Sequence, residues 1–150
     1  METLYTALGG AAERNIFIDG FGPDGNTCAS RMSVAFNRGG SPIVAARVGA
    51  RETLGTADGT RIIFTVSAFR RYLIATLGKP LTDRAGPLDS DFVGRRGIVA
   101  FSVNWRGATG HIAPWNGAVY REPAYDNYAA YVNSADPSRR TSLGEFWELR

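Results

Sequence analysis

Gly97-Ile-Val-Ala-Phe-Ser-Val103 and, shortly after it, Gly110-His-Ile-Ala-Pro-Trp-Asn-Gly-Ala-Val-Tyr-Arg-Glu122 decide how this chain folds. The first stretch is uncharged, apolar and β-branched, the composition of a buried strand. The second contains Asn116-Gly117, the favoured pair for a two-residue type I′ turn, so 110–115 and 118–122 are expected to form a β-hairpin. Glu145-Phe-Trp-Glu-Leu149 offers a last strand.

Upstream of the strands the periodicity changes. Ala29, Met32, Ala35 and Phe36 fall on one face at a 3.6-residue period, with Asn26 or Thr27 as N-cap and Asn37-Arg-Gly-Gly40 as the stop. A second helix is expected from a cap at Ser67 to Leu77, with Phe69, Tyr72, Leu73 and Leu77 on one face and Gly78 and Pro80 ending it. Asn15-Ile-Phe-Ile-Asp19 reads as an extended piece feeding a glycine-rich loop over 20–25. Helices first and an antiparallel sheet afterwards define an α+β fold, N-terminal helices packed on the sheet. At 150 residues the chain is expected to form one domain, 1–150.

Composition narrows the function classes. Hydrophobic residues make up 44% and charged ones 21%, a globular balance, and no apolar run reaches the roughly 20 residues of a membrane span. The opening Met1-Glu-Thr-Leu-Tyr-Thr6 does not read as a signal peptide. The net charge of +3 is spread over scattered arginines, so no nucleic-acid tail and no membrane insertion are expected. One cysteine excludes an internal disulfide, and one cysteine with one histidine argues against a zinc site.

That cysteine, Cys28, sits at the first turn of the first helix, where unpaired N–H groups and the helix dipole stabilise a thiolate. A lone cysteine is ordinarily a small buried apolar residue, but its place directly after Gly25-Asn-Thr27 favours chemistry. His111 is the chain's one imidazole. With a two-residue turn it would lie opposite Glu122, which would orient it as the third member of a catalytic triad does. A bulge would shift the register and bring Asp126 forward as the acid instead. The Cys28 amide would then face a developing oxyanion, with Asn26 as a second donor.

Other features carry competing readings. Gly20-Phe-Gly-Pro-Asp-Gly25 fits the dinucleotide pattern G-x-G-x-x-G, but Asp24 would repel a pyrophosphate, Pro23 lacks a donor, and no alternating β/α pattern follows. Trp105 and Trp115 flank the histidine and would line a substrate groove or fill the core. Tyr125, Tyr128 and Tyr131 recur every third residue, as in a short inward-packing helix after Asp126.

Asn26-Thr-Cys-Ala-Ser-Arg-Met-Ser33 together with Ala108-Thr-Gly-His-Ile-Ala-Pro-Trp-Asn-Gly117 resembles the type VI secretion amidase effectors of family 4. These are papain-like, NlpC-type peptidoglycan hydrolases. The likeness runs from about Gly25 onward, through Asn37, Gly78-Lys-Pro80 and Phe146-Trp147. It implies a papain-like cysteine peptidase fold, Cys28 as nucleophile, His111 as base and an acid eleven positions later, at Glu122, where relatives commonly carry Asp. It further implies cleavage of the bond between γ-D-glutamate and meso-diaminopimelate in peptidoglycan stems, with no cofactor or metal. The partners implied are peptidoglycan, the secretion machinery and a cognate immunity protein. The protein would be made in the producer's cytoplasm and act in the periplasm of a target bacterium. The same triad on the same fold also serves acyltransferases, transglutaminases and housekeeping cell-wall peptidases, and a non-catalytic adaptor would retain the fold without the reaction.

Overall fold

The computed structural model describes residues 4–14, 27–105 and 108–150. The extended piece and glycine loop expected over 15–25, and the candidate donor Asn26, lie outside the described residues. The chain forms two compact units, Met1–Ala75 and Thr76–Arg150.

In the first unit, short helices α1 (Leu4–Leu8) and α2 (Gly10–Arg14) precede the longer α3 (Cys28–Arg38). A two-stranded antiparallel hairpin follows, β1 (Thr53–Gly55) with β2 (Arg61–Ile63), then α4 (Val66–Leu77). Helix α3 ends as its sequence predicts. Gly40 adopts φ +83° and lets the Ser41 N–H reach the Phe36 carbonyl at 3.0 Å, the longer bond of a Schellman turn. Helix α4 starts earlier than expected. Thr65, not Ser67, is its cap, its hydroxyl accepting from the Ala68 N–H at 3.2 Å. The apolar face of α4 buries Phe69 and Tyr72, whose rings meet each other and Phe36 of α3 edge to face at 5.6–6.4 Å.

Polar side chains tie α3 to the hairpin. The fully buried Ser33 hydroxyl accepts from the Ile63 N–H at 2.9 Å and donates to the Ala29 carbonyl at 2.9 Å. Asn37 donates to the Arg61 carbonyl at 2.9 Å and accepts from the Ile43 N–H at 2.8 Å. Both side chains satisfy backbone groups that would otherwise be stranded at partly or wholly dry positions.

The second unit is built on a four-stranded antiparallel sheet in the order β3-β6-β4-β5. Its strands are β3 (Thr82–Ala85), β4 (Gly97–Val103), β5 (Gly110–Trp115) and β6 (Thr141–Glu148). A single helical turn, α5 (Pro123–Asp126), lies between β5 and β6. Val99, Phe101, Ala113, Trp115 and Phe146 share one face and cluster with Phe92 and Tyr120. Ile98, Ala100, Ile112 and Trp147 point the other way and are equally buried, which explains the uninterrupted apolar run of β4.

The expected hairpin is corrected here. Strand β5 pairs with β4, from Gly97↔Trp115 to Ser102↔Gly110, while 118–122 forms no strand. Asn116 is the cause: its Oδ1 accepts from the N–H groups of both Ala118 and Val119 at 2.9 Å, giving a wider loop closed by a lone bridge, Trp115↔Tyr120. Pro123 then starts α5 and carries the chain away from the sheet.

Candidate active site

Thr27 is the N-cap of α3 and makes no side-chain capping bond, so Cys28 is the first helical residue. Its thiol is free of any disulfide and 9% exposed. Two turns of chemistry meet there: the unsatisfied donors of a helix start and a side chain able to carry negative charge. Tyr5 lies within electrostatic range of Cys28. Burial chiefly, opposed by a hydrogen bond with Ser30 and reinforced by the neighbouring cysteine, holds the Tyr5 phenol above its usual pKa.

His111 is placed by β5. Its partner across the ladder is Phe101, so the imidazole stands on the same face as the Phe92–Phe101–Trp115 cluster. Gly110, just before it, is forced by the close approach of β4, since a Cβ there would meet the Phe101 carbonyl oxygen at 1.8 Å. The Thr-Gly-His order thus has a packing reason as well as a chemical one.

The acid that reaches the ring is Asp126, the last residue of α5. His111 Nε2–H donates to Asp126 Oδ1 at 2.9 Å, and both side chains are mostly buried, 11% and 18% exposed. The other carboxylate oxygen accepts from the backbone N–H of Glu122 at 3.3 Å. The expectation that Glu122 faces His111 is therefore corrected: its side chain is exposed, and only its backbone serves the pair. The four-residue loop and the Pro123 helix start replace the register that would have aligned them. Burial pushes the His111 pKa down, and the bond and charge of Asp126 partly restore it.

Around the pair the chain is aromatic. The Tyr128 ring centroid is 4.9 Å from that of His111, and Trp105 and Tyr131 pack edgewise on Tyr128 at 4.9 and 5.2 Å. Tyr125, by contrast, is 72% exposed, and the helix expected after Asp126 instead ends there, as Pro123–Asp126. Trp115 is 3% exposed and its indole N–H donates to the Phe92 carbonyl at 2.8 Å, so it fills the core and does not line a groove. Tyr120 is buried beside the cluster, and its hydroxyl has no partner among the described residues. Burial, then the charges of Asp89 and Asp126, push its pKa far up and keep it protonated. The place of Tyr128 against the imidazole carries no local sequence signal beyond its aromatic character. Among the described residues no cluster of His, Cys, Asp and Glu could hold a metal ion.

A family model described as type VI secretion system, amidase effector protein 4, matches residues 25–143. Solved structures agree. The chain is similar to the effector Tae4 from Salmonella typhimurium, solved with the immunity protein Tai4 from Enterobacter cloacae, at 28% identity and a TM-score of 0.80, over 99% of this chain and 90% of that one. It is similar to Tae4 from Enterobacter cloacae at 28% identity and a TM-score of 0.76, covering 99% and 86% of the two chains. A Salmonella Typhimurium Tae4–Tai4 complex gives 30% identity, a TM-score of 0.75 and coverages of 98% and 86%. Comparison with curated proteins gives no match. The α+β fold with an antiparallel sheet is thus that of an amidase effector. The chain belongs to the type VI secretion amidase effector 4 family and is an enzyme, a peptidoglycan hydrolase.

Proposed function

We propose that residues 1–150 act as one catalytic domain that hydrolyses the γ-D-glutamyl–meso-diaminopimelate bond of peptidoglycan stems, with Cys28 as nucleophile, His111 as base and Asp126 as the orienting acid. The observation that carries this reading is the buried His111–Asp126 bond at 2.9 Å. It occupies Nε2 with a proton and leaves the Nδ1 lone pair free to act as base.

In this mechanism His111 Nδ1 takes the thiol proton of Cys28, and the thiolate attacks the stem-peptide carbonyl carbon. The carbonyl oxygen becomes an oxyanion, stabilised by the Cys28 N–H at the start of α3, with Asn26 as a further donor. The imidazolium, stabilised by Asp126, then protonates the departing amine as the C–N bond breaks. Water, deprotonated by the same nitrogen, attacks the thioester, and the thiol leaves with the proton. Burial favours the neutral ring that the first step requires.

The relatives solved as effector–immunity complexes support a cognate immunity protein as this chain's inhibitor. The site of action we assign is the periplasm of a target cell, reached by type VI delivery from the producer's cytoplasm. Digestion of purified sacculi by the wild type and by Cys28→Ala, read by mass spectrometry of released muropeptides, tests the reading. New fragments ending in γ-D-glutamate with the wild type alone are expected. Fragments that end elsewhere overturn the bond assignment, and equal release by Cys28→Ala overturns the nucleophile.

A further inference from the structure

The imidazole is held at Nε2 by Asp126, and against it lies an aromatic ring whose role the mechanism does not use. We propose that Tyr128 is a positioning residue of the amidase reaction, its ring fixing the His111 imidazole on Asp126 and keeping water off the pair. The inference rests on the functional reading above.

The geometry favours a rigid brace over incidental packing. Tyr128 meets His111 at 4.9 Å with the rings tilted by 46°, and it is itself wedged between Trp105 at 4.9 Å, Tyr131 at 5.2 Å and Phe101 at 6.4 Å. Its backbone is pinned as well, since the Thr141 hydroxyl donates to the Tyr128 carbonyl at 2.6 Å. Thr141 N–H bonds the Tyr131 carbonyl at 3.1 Å, so β6 anchors the segment at both tyrosines. A side chain so confined cannot swing away, and the imidazole beneath it loses the ring rotation that would break the Asp126 bond.

The same ring supplies part of the burial that depresses the His111 pKa. Of the titratable groups, the Asp126 carboxylate from α5 bonds the imidazole and acts in the opposite sense, Tyr128 lies against the ring, and in the proposed mechanism the Cys28 thiol faces Nδ1. Tyr120 approaches the pair from the Asp126 side but stays neutral. Removing the Tyr128 ring relieves burial, the larger influence on His111, and so favours the imidazolium; the accompanying loosening of the Asp126 bond acts in the opposite sense and is the smaller effect.

A single histidine makes the test clean, because the chain has only one imidazole to titrate. Imidazole proton resonances are followed against pH by NMR in the Cys28→Ala background, with Tyr128, Tyr128→Leu and Tyr128→Phe. Tyr128→Leu is expected to raise the titration midpoint, and Tyr128→Phe, which keeps the ring, to hold it. In the Cys28 enzyme Tyr128→Leu should lower kcat about tenfold, with KM within twofold, and move the acid limb of the rate profile to higher pH. Thr141→Val removes the hydroxyl bond that pins the Tyr128 backbone without touching the ring, and should shift the midpoint in the same direction by less. It serves as the readout if Tyr128→Leu does not fold. An unmoved midpoint in a folded Tyr128→Leu or Thr141→Val protein overturns the proposal. The titration needs no turnover, so absence of activity in the Cys28 enzyme counts against the functional reading and leaves the test of Tyr128 intact.

Discussion

The start of α3 and the face of β5 place their reactive groups by different physics. Cys28 owes its position to a local event, a helix beginning at that residue, and the polar side chains nearby, Ser33 and Asn37, are spent on holding the backbone. His111 owes its position to non-local pairing with β4, and its polar partner Asp126 makes no structural bridge between strands. Beside Cys28 the polar side chains hold backbone groups; beside His111 the polar partner bonds the ring itself and, in the proposed mechanism, serves proton transfer. Substitution should separate the two by what each change damages.

The largest effect is expected at Asp126. Asp126→Asn keeps the size of the side chain but removes the charge that stabilises an imidazolium, and its amide can donate to Nε2 and leave the proton on Nδ1. Amidase turnover should fall by roughly 10²–10⁴-fold with little change in melting temperature. The sign of the pH effect follows from the two opposing influences on His111. Asp126 raises its pKa, so its loss moves the acid limb of the rate profile to lower pH, opposite to the shift expected for Tyr128→Leu. A turnover within threefold of wild type would remove Asp126 from the triad.

The same contrast governs what was legible in the sequence. Helix α3 and strand β4 are read from short windows, because a 3.6-residue period and an unbroken apolar run are local signals, and β4 begins and ends where its composition does. The α4 cap lies two residues before Ser67 because Thr65 and Ser67 are chemically equivalent as caps, and backbone geometry chooses between them. The hairpin failed for a subtler reason. Asn116-Gly117 suits a two-residue turn, but the Asn116 side chain captured the two N–H groups beyond it, widening the loop and releasing the chain into α5. Every opposition counted from that turn was lost with it, Glu122 against His111 included. Strands β1 and β3 are only three and four residues long, too short for a pattern, and their pairing is decided by their partners. Cys28 starts α3 and His111 lies in β5, where the sequence pattern puts a helix start and a strand; that Asp126 and not Glu122 bonds the ring was a question of register, which local patterning does not encode.

An intermediate effect is expected in the first unit, and on stability rather than rate. Ser33→Ala strips the acceptor from the buried Ile63 N–H and the donor from the Ala29 carbonyl. Leaving one buried backbone donor unmet should cost about 1–3 kcal/mol in a urea unfolding experiment. The pH profile of the surviving activity should be unchanged. A shift of the acid limb in Ser33→Ala would mean that the polar bonds of this unit reach the proton chemistry after all, and the division between the two regions would fail.

The smallest effect is expected at Glu122, where it is most informative. The family likeness and the two-residue turn both pointed to this position, and the register that would have used it is absent. What Glu122 contributes to Asp126 is its backbone N–H, at 3.3 Å from Oδ2, and that donor survives any side chain except proline. Its carboxylate is exposed, so neutralising it leaves the ring, the acid and their bond untouched. Glu122→Gln should therefore hold kcat/KM within twofold and leave both limbs of the pH profile in place. A hundredfold loss there, with Asp126→Asn silent, would require the loop at 116–119 to tighten during catalysis and restore the two-residue turn. The Asn116 side-chain bonds to Ala118 and Val119 oppose that rearrangement, since closing the turn would break both.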